Sequence, residues 1–407
     1  MVNKAGYDCG IVYSDEHYCG DVPYLAGNNN IAVEPIAGVI TENGFYFIAG
    51  LESGIIAPQF SQRSQAQIRS VEIMKIDDKE YPEDLLRPAD IIEEACGRKP
   101  KRIALLTTRY VFPLGLFNVL RKYIGEENIE DLSEKYYEIK YEKSDNEMRL
   151  IEEGSKISDI MMEGMLRVLR PGMYETQLAQ WGYAIAHELG VEEMGFMVMV
   201  TAGDSNKTMV GRASNNIIKE GDIVHIGVSP KRDGLSAAQR GSVVCVKHPD
   251  LVPDKYKLWI EFLEGAFEAG VAEFNKVVKQ KLPGCYHEQA MIDYYHSKAD
   301  ELSAITGITL TNFAKQKGYV TTHNSGYTEC QEFYGALSLD FNKPLANQMV
   351  MMMDTGIKGY GETWDEVIIP DLDYIVIEKT LGKYGDEVRI LNDLPINLQH
   401  LVGEGFN

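Results

Sequence analysis

The chain has 407 residues, 44% of them hydrophobic and 25% charged, the balance of an ordinary globular protein long enough for two or three domains. A formal charge of −21 without any Lys/Arg-rich run disfavours nucleic acid and anionic membrane as partners, because both are polyanions. No apolar run approaches the ~20 residues that cross a bilayer, the first residues lack the apolar core of a signal peptide, and the six cysteines form neither CxxC nor metal-type spacing, so reduced thiols in the cytoplasm are expected.

Residues 1 to about 140 alternate strand-like runs (Ile11–Tyr13, Ala37–Ile40, Phe45–Ala49, Ile103–Thr107) with helix-like ones (Asp84–Cys96, Pro113–Ile124), which predicts an α/β sheet domain. The composition turns polar over 140–147, placing a boundary between a domain at 1–143 and another at 144–407. Beyond it Met148, Ile151, Ile157, Met161, Met165 and Val168 recur at three- and four-residue steps, an amphipathic helix that Pro171-Gly172 ends. Its methionine-rich face reads as core packing.

The chain then repeats itself. Pro171-Gly172, Tyr174, Gln177 and Tyr183 recur at one constant offset as Pro283-Gly284, Tyr286, Gln289 and Tyr295. A helix precedes each copy (Met148–Arg170, Lys255–Lys281), and another helix and strand-like segments follow it. Matches at a fixed offset mark a duplicated unit, and two related halves place a site where their sheets meet. Between the copies, Gly221–Gly241 reads as a hairpin: Ile223, His225 and Gly227 alternate with Val224, Ile226 and Val228, and Lys231-Arg232-Asp233-Gly234 is a turn before a second run, Leu235–Val246. The period of two sets His225 and Gly227 on one face. Asp222 at the strand entrance and Asp233 in the turn are eleven apart but suit local backbone hydrogen bonding rather than a metal.

Several of these segments resemble the creatinase, aminopeptidase P, prolidase and methionine aminopeptidase family, the pita-bread hydrolases. Gly221-Asp222-Ile223-Val224 with the run ending in Arg240 is similar to the family's first ligand hairpin, Tyr24-Leu25-Ala26-Gly27 resembles its YLTGF-type segment, and Lys143-Ser144 with Glu147 resembles its IKSxxE motif. Thr321-Thr322-His323-Asn324-Ser325-Gly326 resembles GHSFG, Met349-Val350 through Asp354-Thr355-Gly356 resembles MVxxxEPG, and Gly361-Glu362-Thr363-Trp364-Asp365-Glu366-Val367 resembles RxEDDI. The resemblance implies an α+β chain: an amino-terminal α/β domain of the creatinase/prolidase kind, then a pseudo-twofold pita-bread domain. It also implies a homodimer acting on a small molecule.

In the metallopeptidases of that family five side chains hold two metal ions. The matching positions here are Gly227, Ala237 or Ala238, His323, Asp354 and Trp364. One ligand is kept and one shortened, too few for carboxylate-held divalent ions, which need several oxygens converging at about 2.0–2.6 Å. The resemblance is therefore closest to creatinase, the metal-free member, and no metal or other cofactor is expected. The histidine that serves creatinase as acid/base falls at about Val210, which leaves His323 and His225, with Asp354, as catalytic candidates. The plainer role for His225 is a hydrogen-bonded core histidine.

For substrate binding the candidates are Gln239, where creatinase presents a Glu to a guanidinium, the neighbouring Arg240, Cys330 in the place of a second family His, the acidic Asp365 and Glu366, and Glu34, which aligns with a substrate-binding arginine. Cys330 also reads as an inert thiol and the acidic group as a solvated rim. The function expected is a metal-independent hydrolase of a C–N bond in a small amine- or guanidine-bearing compound. An Xaa-Pro dipeptidase-like metallohydrolase and an inactive ligand- or partner-binding protein are the alternatives.

Overall fold

Apolar residues at alternate positions along short runs, and at three- and four-residue steps along longer ones, build two compact units, Met1–Lys140 and Tyr141–Asn407. The computed structural model describes residues 1–27, 31–32, 34–60, 62, 64–75, 87–318, 320–328, 335–363 and 365–406. In the first unit six strands, β1 (Cys9–Ser14), β2 (Ile36–Thr41), β3 (Gly44–Ala49), β4 (Gln67–Ser70), β5 (Ile103–Leu105) and β6 (Ile129–Asp131), form one mixed sheet in the order β4-β3-β2-β1-β5-β6. Helices α1 (Asp21–Ala26), α2 (Leu51–Phe60), α3 (Pro88–Cys96) and α4 (Leu114–Ile124) lie between strands, and α5 (Ser133–Tyr141) follows the last. Cys9, Ile11, Val39, Ile91, Ile92, Ile103 and Leu120 are in its core.

The second unit opens with α6 (Asp145–Val168), whose start is fixed by a capping box: the Ser144 hydroxyl accepts from the Glu147 amide and the Glu147 carboxylate accepts from the Ser144 amide. Met148, Met161, Met162 and Met165 are buried along its inner face, the core role their spacing predicts. After α7 (Glu175–Glu188) come β7 (Met199–Ala202), β8 (Ile223–Val228), the short hairpin β9 (Lys231–Arg232) and β10 (Leu235–Ser236), and β11 (Gln239–Val244). Asp233 and Gly234 turn that hairpin with φ of 51° and 82°, the left-handed pair that a two-residue turn needs. The second copy repeats the plan as α8 (Asp254–Gln280), α9 (Cys285–Thr306), β12 (Thr322–Asn324), β13 (Gln348–Lys358) and β14 (Tyr374–Tyr384), and β15 (Glu387–Ile390) pairs with β14.

All but the small hairpin join one sheet in the order β12-β13-β14-β11-β8-β7, so the halves meet where β14 pairs with β11. The duplication legible in the sequence is thus a duplication in space. One face of the sheet is covered by the helices: Val200, Val224, Ile226 and Val243 pack with α6 and α7, and Met351, Met353, Ile375 and Ile377 with α8 and α9. The residues between them point to the opposite face, where the site lies. No helix among the described residues is long and apolar enough to cross a membrane.

Candidate functional site

Directly paired residues of antiparallel strands share a face. Across the sheet His323 stands opposite Met352, Asp354 opposite Glu378, Glu378 opposite Arg240, Arg240 opposite Gly227, and two residues away Thr201 is opposite His225. One sheet face therefore gathers His323, Asp354, Glu378, Arg240 and His225 from both halves. At its centre the Arg240 guanidinium is ion-paired through Nη2 to Asp354 and through Nε to Glu378, and Nη1 donates to the Met209 carbonyl at 2.8 Å. All three charged groups are buried, with exposures of 3%, 5% and 1% for Arg240, Asp354 and Glu378. Buried charge persists only when paired, and the planar fork of Arg suits two carboxylates at once.

His225 is fully buried beside this group and its ring meets Tyr374 edge-on at 5.3 Å. Its tautomer follows from a chain of hydrogen bonds. Asn206 donates from Nδ2 to the Tyr374 carbonyl (2.9 Å), which turns its Oδ1 toward the Thr201 hydroxyl (3.0 Å). Thr201 spends its one proton there, so toward His225 Nδ1 (3.4 Å) it can only accept. The proton is on Nδ1, and Nε2 keeps a bare lone pair that no group among the described residues engages. Burial, and then the positive Arg240, hold the imidazole well below its ordinary pKa, hence neutral. A neutral histidine with an open nitrogen is a proton acceptor. His323 stands on the same face, its Nδ1 at 3.0 Å from the Asn324 carbonyl.

Other expected site residues are elsewhere. Gln239 cannot face a substrate beside Arg240, because neighbours on a strand point to opposite sides. It lies beneath the helices, where its amide, oriented to satisfy both neighbours, donates to Asp159 at 2.8 Å and accepts from Lys379 at 2.5 Å. Asp365 and Glu366 are exposed in the loop after β13, where Glu366 accepts from the Glu362 amide at 3.0 Å, so they form no cluster with buried Asp354. That loop borders a cleft of about 870 Å³ lined by Glu288, Lys315, Lys317, Lys358, Glu362 and Glu366, none of which belongs to the sheet-face group. Glu34, in the first unit, is buried and accepts from the Ser53 amide at 2.8 Å, capping the start of α2. Cys330 and Trp364 lie outside the described residues.

Sequence reasoning missed Glu378. It placed the last family carboxylate in the loop at 361–367, whereas the carboxylate standing beside Asp354 comes from β14. The signal was available: in Tyr374-Ile375-Val376-Ile377-Glu378 a single acid interrupts an apolar strand, and a carboxylate there must meet a cation.

The residues present do not fit a dimetal centre. Gly227 and Ala237 or Ala238 bring no donor, Asp354 and Glu378 are both held by Arg240, and no group of three or more His, Cys, Asp or Glu able to hold a metal occurs among the described residues.

Comparison with known proteins places this geometry. A family model for "Metallopeptidase family M24" matches residues 149–393. YkvY of Bacillus subtilis, which carries a provisional dipeptidase name, is 26% identical over 242 residues, 57% of this chain and 60% of its own length. YqhT, an uncharacterized peptidase of the same organism, is 22% identical over 231 residues, 56% of this chain and 63% of its own length. The match thus spans less than two thirds of either curated relative. An X-Pro aminopeptidase from Thermotoga maritima superposes with a TM-score of 0.76 at 17% identity, covering 98% of this chain and 97% of that one. A prolidase from Pyrococcus horikoshii gives 0.73 at 15% identity, with 98% and 97% covered. A Bacillus anthracis Xaa-Pro dipeptidase gives 0.72 at 18%, with 98% and 96% covered. These likenesses establish the fold.

Proposed function

The chain belongs to metallopeptidase family M24, and from that premise we propose that it is a hydrolase cleaving a C–N bond in a small peptide-like compound. This dipeptidase-type reading has more support than the creatinase-like one, because the relatives' printed names are those of peptidases and because Gln239, the residue that linked the chain to guanidine recognition, faces away from the site. The observation that carries it is the meeting, on one sheet face at the junction of the two halves, of a neutral His225 with an open Nε2 and the Arg240 guanidinium.

In this scheme water attacks the carbonyl carbon, Nε2 of His225 takes the water proton and passes it to the departing nitrogen, and Arg240, held by Asp354 and Glu378, fixes the sheet face that presents His225. Each step uses this chain's own groups. The proposed setting is the cytoplasm, a reading supported by cysteines that form neither CxxC nor metal-type spacing, and the proposed assembly is a homodimer, which the family resemblance implies and light scattering of the purified chain checks.

The test is hydrolysis of Xaa-Pro dipeptides, other dipeptides and guanidino compounds, followed by mass spectrometry with chelator and with added Mn²⁺. Turnover of a dipeptide is expected, with kcat falling by about 10²–10⁴ in His225→Gln. Turnover of guanidino compounds alone would return the creatinase-like reading. A second reading is favoured by the missing donors at Gly227, Ala237 and Ala238: an inactive descendant that binds a ligand. Compounds that raise the melting temperature yet persist unchanged for days would establish it.

A further inference from the structure

Gly227 and Arg240 are partners in the β8–β11 ladder. A Cβ built on Gly227 would stand 3.0 Å from Cγ and 3.1 Å from Cδ of Arg240 and 3.4 Å from Cβ of Met199. The volume that a side chain at 227 would take is filled by the arginine stem. That stem carries the guanidinium to Asp354 on β13 and Glu378 on β14, two carboxylates that the register brings side by side and that burial forbids from standing alone. The Arg at this place is common to the family resemblance described above; the missing side chain opposite it is what this chain adds.

We propose that Gly227 and Arg240 together are an internal substitute for a metal ion: the guanidinium is the resident cation of the site, and it excludes divalent ions from Asp354 and Glu378. Loss of a donor at 227 and the space for an arginine there are then one change rather than two. Removing carboxylates from the ligand set lowers the negative charge to be balanced, and a single cation that never deprotonates near neutral pH contacts both carboxylates of the pair that remains, which leaves one negative charge over. The planar fork also fixes direction, binding one carboxylate through Nε and the other through Nη2, so that a divalent ion would have to displace the guanidinium to reach either. The inference rests on this geometry alone and holds whether or not the chain turns out to be a hydrolase.

The test reads metal and melting temperature rather than activity. The full chain, purified from metal-replete medium, is analysed for bound metal and titrated with MnCl₂, CoCl₂ and ZnCl₂. Substoichiometric metal and no saturable thermal shift are expected. An equivalent of metal, or a saturable shift, that disappears in Asp354→Asn or Glu378→Gln overturns the proposal. In Arg240→Met the melting temperature should fall and be partly restored by a divalent cation, with no restoration in Arg240→Met/Glu378→Gln. A folded Arg240→Met protein indifferent to all three metals overturns the equivalence of guanidinium and ion. If that variant does not fold, metal retention by the unmodified chain decides the matter by itself.

Discussion

Two buried polar groups lie back to back on the two sides of one sheet, and they are built differently. Beneath the helices, Gln239 bridges Asp159 and Lys379, Lys379 donates to the Leu394 carbonyl at 3.0 Å, and Asn392 ties Ser158 (2.9 Å) to the Thr380 amide (2.9 Å). On the other side, one residue along β11, Arg240 joins Asp354 and Glu378, but His225 Nε2 and Glu378 Oε1 have no hydrogen-bond partner among the described residues. A satisfied network specifies packing, whereas buried polar atoms left open ask for another explanation, such as strain, water, a ligand or a reaction. Burial and charge alone do not identify a site, and neither does an open polar atom alone, since His287 Nδ1 on α9 is open too; what sets this face apart is that open atoms and charges gather there from both halves.

Three substitutions bear on that contrast. Arg240→Met leaves two buried carboxylates without their cation and should cost about 3–5 kcal/mol of unfolding free energy, measured by urea denaturation; a loss under ~1 kcal/mol would mean that water or rearrangement already serves those carboxylates. On the covered side, burial pushes the Lys379 ammonium down to about 8, with Asp159 opposing. Between pH 8 and the ordinary value of 10.5 the unfolded chain holds a proton that the folded one has shed, so this group makes stability rise with pH through that window and contributes no slope below it, by up to roughly 3 kcal/mol. Lys379→Met should remove that alkaline rise, and curves for the two proteins that stay parallel from pH 8 to 10 would show the ammonium to be hydrated. Smallest, Gly227→Ala presses on the arginine stem while keeping every charge and should cost about 1–3 kcal/mol; a neutral outcome would mean that the stem has other room.

Much of the fold was legible because it rests on period and repetition. The recurrence of Pro-Gly, Tyr and Gln gave the two halves, the alternation of Ile223 to Val228 gave β8 and its inner face, and Ser144 with Glu147 marked the start of α6. The site was legible in part. His225, His323, Asp354 and Arg240 share a face as their strand positions imply, while Gln239 was assigned by matching a motif position and the strand period overrides that match. Glu378 was hidden because the acidic run at 361–367 resembles the family's last motif and lies in the loop before β14, so the match was taken there and the single acid inside the apolar strand was passed over. What no reading of the sequence supplies is the close approach of Gly227 and Arg240: the hairpin was expected, but that contact depends on its register.

The line along which the halves join is narrow. β11 meets β14 at Arg240–Glu378 and Gly241–Ile377, a short ladder beside the eleven-residue pairing of β13 with β14. An ion pair spanning that line acts as a rivet: hydrogen exchange at the amides on either side should quicken together once it is drawn, and the sheet would part along its own axis of symmetry before either half came undone.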